Sequence, residues 1–334
     1  MKVSTGIKGA VAALFTILVW GVTFVNTRSL LAQFSALEIQ VLRFAIGYAA
    51  LCVLTIAEAR NRHCSPFVLY SRKDECLCVL MGLFGVAVYQ LLENCAIHYT
   101  NASNVSILVC MCPLLTAVVA RFVFPGNRLG LRFLVGFVIA ITGVVMVSMN
   151  GVSEFHFNPL GDALAAGAML SWVVYSNLVT VMNRRGIPQV TVIRRMFFWT
   201  LVTTLPLVVY GTTDGGRLAM EGSFAVSFDP AVNATRFTSV MNYVNLGFLG
   251  LLASAACFVL WNKALAIVGT VRCTVGLYLL PAITVVFAYL FLGETLSPVS
   301  AVGAVLILAG VVLSGMKHGT HKIREMKNTK EELK

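Results

Sequence analysis

Ten long stretches of this chain contain no Asp, Glu, Lys or Arg: 9–27, 44–57, 76–92, 94–120, 133–153, 163–183, 196–213, 237–262, 273–293 and 295–316. The second extends back through Arg43 to Ile39. A helix needs about 20 apolar residues to cross the hydrocarbon of a bilayer, and little of the chain lies outside stretches of that kind. Only 12% of the 334 residues are charged and 58% are hydrophobic, with a mean hydropathy of +0.85. An average soluble domain carries about 25% charged residues, and no soluble core hides this much apolar surface behind half that number. A soluble enzyme, a disordered chain and a disulfide-stapled secreted module are excluded. Membrane β-strands would alternate over segments of about 10 residues, and continuous apolar runs such as 133–149 show no alternation. The expected fold is all-α, a polytopic membrane protein with ten transmembrane helices.

A formal net charge of +11 is of a size found in nucleic-acid binders, but the placement of the cations argues for topology instead. With a cytoplasmic N-terminus, every Lys and Arg except Arg28, Arg43, Arg217 and Arg236 falls inside or at the inner interface. Such a bias orients membrane proteins. It predicts two cytoplasmic termini, a solvated cytoplasmic tail at 317–334, and a multi-pass protein of a plasma membrane (a bacterial inner membrane), with no nucleic-acid partner. The first apolar run follows Lys2 and Lys8 as a signal sequence would, but it is long for one and is kept as a helix. The nine cysteines form no CxxC and the five histidines no ligand spacing, so the thiols read as small buried hydrophobes. P-loop, HExxH and GxSxG motifs are absent, which argues against ATP drive and the common hydrolase chemistries. No metal or other cofactor is expected. Asn233-Ala234-Thr235 matches a glycosylation sequon on the outer side.

The two halves repeat. A slide of 152 residues superposes Gly9 on Gly161, Trp20 on Trp172 and Arg43 on Arg195. A slide of 168 superposes Gly82 on Gly250, Asn94 on Asn262 and Pro113 on Pro281. A slide of 167 superposes Gly136 on Gly303 and Gly143-Val144-Val145 on Gly310-Val311-Val312. The expected organisation is a first repeat at 1–150, a second at 159–316 with a long outer loop at 211–242, and the tail. Five helices per half is an odd number, so the repeats are inverted in the membrane. Transporters commonly use this arrangement, with a substrate site near the midplane.

Several of these residues resemble a known family. Trp20-Gly21-Val22-Thr23-Phe24-Val25 and Leu42-Arg43-Phe44 look like the drug/metabolite transporter superfamily. Tyr89 to Ala96, Tyr99 to Ser103, Pro281 and Leu292-Gly293-Glu294-Thr295-Leu296 look like its EamA domain, in both halves. The resemblance covers about 9–149 and 161–316. It implies a ten-helix bundle around a central cavity, carrying small metabolites, often as an exporter. One departure is Asn127, which stands in the first repeat where the second has Glu294. Glu294 therefore reads as a turn or helix-start residue.

Ionisable groups inside membrane helices are costly and usually functional. Glu93 lies past the midplane toward the outer leaflet and shares a helix face with Tyr89. It is a candidate for binding a substrate amine or for proton coupling, the alternative being an end-of-helix acid reaching headgroups. Asn94 and Asn262 offer amide groups to a zwitterion, or hydrogen-bond between helices. Trp20, Trp172, Tyr175, Trp261 and Tyr278 are candidates for an aromatic, sparsely polar pocket, or for core packing. Pro113 and Pro281 are candidate hinges. Arg43 and Arg195 read as side chains snorkelling from helix ends to headgroups.

The expected function is secondary transport, as an exporter of a small organic metabolite such as an amino acid, with protons as a possible second partner. An exchanger or translocase of nucleotide-linked or lipid-linked sugars is the alternative, and an integral-membrane enzyme acting on a lipid the alternative of another class.

Overall fold

The computed structural model describes residues 5–62, 71–99, 111–123, 130–148, 159–218, 224–292 and 298–315, and among them all regular structure is helical. Helices α1 (Thr5–Leu31) and α2 (Ala36–Arg62) follow one another through a short turn. Ser35 caps α2: Glu38 N donates to its hydroxyl, and its own N donates to Glu38 Oε2. Helix α3 (Arg72–Gly82) runs through a π-helical segment, Leu83–Val88, into α4 (Tyr89–Tyr99). Then come α5 (Cys112–Val123), α6 (Leu131–Ser148), α7 (Pro159–Asn183) and α8 (Gln189–Gly211). Two short helices, α9 (Asp214–Leu218) and α10 (Pro230–Arg236), precede α11 (Val240–Gly247), which passes through a second π segment, Phe248–Ala256, into α12 (Cys257–Val268). Helix α13 (Thr270–Val275), a 3-10 turn, α14 (Leu279–Leu292) and α15 (Pro298–Gly315) complete the described chain.

Six of these helices or continuous runs are long and apolar enough to cross a membrane: α1, α2, α3–α4, α7, α8 and α11–α12. Helices α6 and α15 carry shorter apolar stretches. Val53, Leu54, Val138, Leu205, Val209, Val305 and Leu308 are exposed, as expected of helices whose outer faces meet lipid. Several membrane-crossing helices make this a multi-pass membrane protein.

Packing follows the sequence repeat. Helix α1 packs on α12 and α14, and its counterpart α7 packs on α4 and α5. Helix α2 lies against the second π segment, and α8 against α3. Helices α6 and α15 run antiparallel through glycine contacts: a Cβ added to Gly136 would lie 2.8 Å from Gly310 O, and one on Gly143 would lie 2.5 Å from Gly303 O. Small residues allow such close backbone approach between membrane helices.

The two π segments are stitched to neighbouring helices through backbone carbonyls. Thr200 Oγ1 donates to Gly82 O at 3.2 Å, Ser171 Oγ to Phe84 O at 2.6 Å, and Trp20 Nε1 to Ala253 O at 2.9 Å. At one end of the bundle, residues 224–228 form a strap. Phe224 and Val226 pack with Leu37, Val41 and Leu91, and Glu38 accepts from Ser227 N and Arg236 Nη1. At the opposite end Glu75 accepts from Arg195 Nη1 at 2.8 Å and from Trp199 Nε1 at 2.6 Å. Thr180 and Thr270 share a hydroxyl–hydroxyl hydrogen bond between α7 and α13.

Candidate functional site

A cavity lies where helices from both halves of the chain converge. Its wall is built from Trp20 and Thr23 of α1, Arg43 of α2, Tyr89, Gln90 and Glu93 of α4, and Cys112 of α5. The second half supplies Trp172 of α7, Phe258 of α12, Leu277 of the 3-10 turn and Leu280 of α14. Trp20 and Thr23 lie beyond the middle of α1, Arg43 two turns into α2, and Glu93 less than two turns before the end of α4. The site therefore sits from mid-bundle toward the end that carries the strap.

Most of the wall is aromatic. The Trp20 ring meets Trp172 at 5.8 Å, Phe258 at 5.6 Å and Trp261 at 5.2 Å between centroids. Trp172 in turn meets Tyr89 and Tyr175, each at 5.1 Å. Into this apolar wall the fold sets one cation and one anion. Arg43 is 6% exposed; its Nε donates to Ser254 Oγ at 2.6 Å, and its guanidinium carbon stands 5.3 Å from the centroid of the Phe44 ring. Glu93 Oε1 accepts from the Tyr89 hydroxyl at 2.7 Å. Both side chains line the same cavity. The Trp172 Nε1 donor is buried and has no hydrogen-bond partner among the described residues. A positive group, a negative group and an unused N–H, separated by aromatic surface, can receive a small molecule with one carboxylate, one ammonium and an apolar body.

Of the residues named from the sequence, Trp20, Tyr89, Glu93 and Trp172 line the cavity together. Tyr175, Trp261 and Asn262 are fully buried behind that wall, with Asn262 Nδ2 donating to the Tyr175 hydroxyl at 2.9 Å and to Phe258 O at 2.8 Å. Tyr278 lies elsewhere, in a separate cluster with Phe133, Val275 and Ile307 that packs on Phe137. Asn94 is on α4, but its side chain lies outside the described residues, as do Asn127 and Glu294. Pro113 is the second residue of α5, where a proline costs no helix hydrogen bond, and Pro281 follows shortly after the 3-10 turn at Gly276–Tyr278. Asn233 of the sequon sits on α10 and donates to Ser227 O.

The reading of Arg43 as a snorkelling residue is overturned by its burial and by its place in the cavity wall. Its repeat counterpart Arg195 is held by Glu75 at the other end of the bundle. Thr23, Cys112 and Phe258 were not picked out as site residues from the sequence, whereas Gln90 stands on the Glu93 helix beside Tyr89. The signal that would have found Arg43 is its break in an otherwise uncharged span of 39–57, where a lone cation costs most unless it serves a site.

Comparison with known proteins agrees with this architecture. A model of the EamA-like transporter family matches residues 7–149 and 159–316. A probable terminal-alkyne amino-acid exporter of Streptantibioticus cattleyicolor is 26% identical over 317 residues, covering 94% of each chain. A probable amino-acid metabolite efflux pump of Salmonella typhimurium is 24% identical over 308 residues, covering 92% of this chain and 94% of the pump. A solved crystal structure superposes with a TM-score of 0.70 at 20% identity, over 92% of this chain and 96% of the other, and shows the fold alone.

Proposed function

The chain belongs to the EamA-like transporter family, and on that premise we propose that it exports a small zwitterionic metabolite of the amino-acid class. In this reading it has ten transmembrane helices in two inverted repeats, both termini in the cytoplasm, and works by alternating access around the Arg43–Glu93 cavity. The observation that carries the substrate class is the placement of one buried cation and one anion in a single aromatic wall. An arginine receives a carboxylate through paired N–H donors, and the N–H of Trp172 supplies a further donor. Glu93 receives the ammonium, and the rings of Trp20, Trp172 and Phe258 receive the side chain. The names of the Streptantibioticus and Salmonella relatives support amino-acid cargo and outward direction.

Proton exchange follows from the same carboxylate. An ammonium and a proton compete for Glu93, so release of one favours arrival of the other, which is the logic of an antiporter. The sugar-nucleotide translocase reading fits less well, because a single arginine balanced by a glutamate leaves no net positive field for a diphosphate. A lipid-modifying enzyme fits least, since the family is one of transporters.

The test is efflux of each of the twenty L-amino acids from proteoliposomes, with and without an imposed pH gradient, for wild type and Glu93→Gln. The expected result is gradient-driven flux of one or more apolar amino acids, lost in the variant. Flux of none of them ends the substrate reading. Wild-type flux indifferent to the gradient ends the proton reading, and unchanged flux in Glu93→Gln ends the assignment of that residue.

A further inference from the structure

Two groups of the cavity wall, on different helices, are fastened to consecutive residues of the second π segment. Trp20 Nε1 donates to Ala253 O at 2.9 Å, and Arg43 Nε donates to Ser254 Oγ at 2.6 Å. Ser254 is completely buried, and Ala253 is too. The attachment is close: a Cβ added to Gly250, in the same segment, would lie 2.6 Å from Ile46 Cγ2 and 3.1 Å from Arg43 O. The backbone of α2 at Arg43 thus rests directly on the π segment.

A buried serine in a helix ordinarily turns its hydroxyl back to a carbonyl one turn earlier, as Ser176 does to Trp172 O and Thr200 to Met196 O here. Ser254 instead accepts from a guanidinium. A guanidinium has five N–H donors in one plane, so fixing Nε fixes the direction of the four on the two Nη atoms. In the first repeat the corresponding π segment is also held by side chains from its neighbours, Ser171 and Thr200, but those bonds involve no charged group.

We propose that Ser254 is a positioning residue for carboxylate recognition: by accepting from Arg43 Nε it aims the Nη donors of Arg43 into the cavity and holds them off Glu93. The inference rests on the zwitterion reading for its consequence, but the aim of Arg43 can be measured without any substrate. Without the hydroxyl, Arg43 is free to fold toward Glu93, which lines the same cavity. Its Nη donors are then spent on Glu93 and lost to a ligand carboxylate, whereas the Glu93 carboxylate keeps acceptor sites for an ammonium.

The experiment uses the full chain in lipid vesicles, as wild type, Ser254→Ala and Ser254→Thr. Ser254→Ala deletes one oxygen and leaves the packing volume nearly intact; Ser254→Thr keeps the hydroxyl. The first measurement is the rate at which phenylglyoxal modifies Arg43, read by peptide mass spectrometry. The expected result is a several-fold slower reaction in Ser254→Ala, with wild-type behaviour in Ser254→Thr. An equal or faster reaction in Ser254→Ala overturns the proposal. The second measurement is flux of the L-amino acids carried by wild type and of the matching amines that lack the carboxylate. Losing one hydrogen bond to a charged group predicts a KM raised about tenfold for the amino acid. The KM for the amine and the kcat for both are expected to stay near wild type. A KM raised equally for amino acid and amine makes Ser254 merely structural and also overturns the proposal. If wild type carries no amino acid, the zwitterion reading falls, and the Arg43 reaction rates still decide the role of Ser254.

Discussion

The indole N–H of Trp172 is buried in the cavity wall with no hydrogen-bond partner among the described residues. A donor left without a partner costs about 1–3 kcal/mol in the empty protein, and that cost is recovered when a ligand oxygen meets it. Trp172→Phe keeps the ring against Trp20 and Tyr89 while removing the donor. The expected outcome is a melting temperature in detergent equal to or above that of wild type, with weaker binding of the amino acid proposed as substrate. The pair of readings is taken by thermal shift without and with ligand. Loss of stability in the ligand-free variant would show that the N–H is satisfied within the protein. At this scale the sequence disclosed part of the site. Trp20 and Trp172 were visible because each occupies the same place in a repeat, and Glu93 because it interrupts an apolar run. Arg43 was not, because a single arginine two turns from a helix start looks the same whether it reaches outward to headgroups or inward to a site. Only the packing of α2 on the second π segment decides between them, and that contact is remote in sequence.

Among the elements, α6 and α15 depend most narrowly on residue size. Backbone lies within contact of the absent side chains of Gly136, Gly143 and Gly310, so any Cβ there forces the helices apart. Gly136→Val is therefore expected to lower the melting temperature of the detergent-solubilised protein by several degrees, whereas Val138→Ala, at an exposed position on the same helix, leaves it unchanged. Equal effects from both substitutions would mean that the helix pair is not tightly seated. The apolar runs and their glycines were legible in the sequence because hydrocarbon length and close approach both leave compositional marks. The π segments were not. A π turn accommodates one more residue than an α turn, and that residue has no characteristic chemistry. What marks the two segments is their tertiary use, with Gly82 and Phe84 taking hydroxyls from α8 and α7, and Ala253 an indole N–H from α1.

Over the whole molecule, opposite ends are tied by different acids. Where α2 begins, Glu38 draws in Ser227 and Arg236 and so ties the strap down. Where α3 begins, Glu75 holds Arg195 and Trp199. The sequence showed the segment 211–242 only as a polar insertion, because the apolar residues that seat the strap, Phe224 and Val226, are too few to register as a helix. The glycine contacts between α6 and α15 carry a consequence of a different kind. Under the slide of 167 residues, Gly136 becomes Gly303 and Gly310 corresponds to Gly143, so the contact Gly136–Gly310 maps onto Gly303–Gly143. Each half presents the other with the same patch, as two subunits of a symmetric dimer do. Such a patch needs no covalent bond between its two sides. Fragments 1–150 and 151–334, produced as separate chains in one membrane, are expected to co-purify and to restore flux. Failure of the fragments to associate would mean that the joined chain is required to bring the halves into register. By this logic the peptide link between the halves secures equal numbers and order of synthesis, while cohesion comes from the glycine faces together with the packing of α1 on α12 and of α7 on α4.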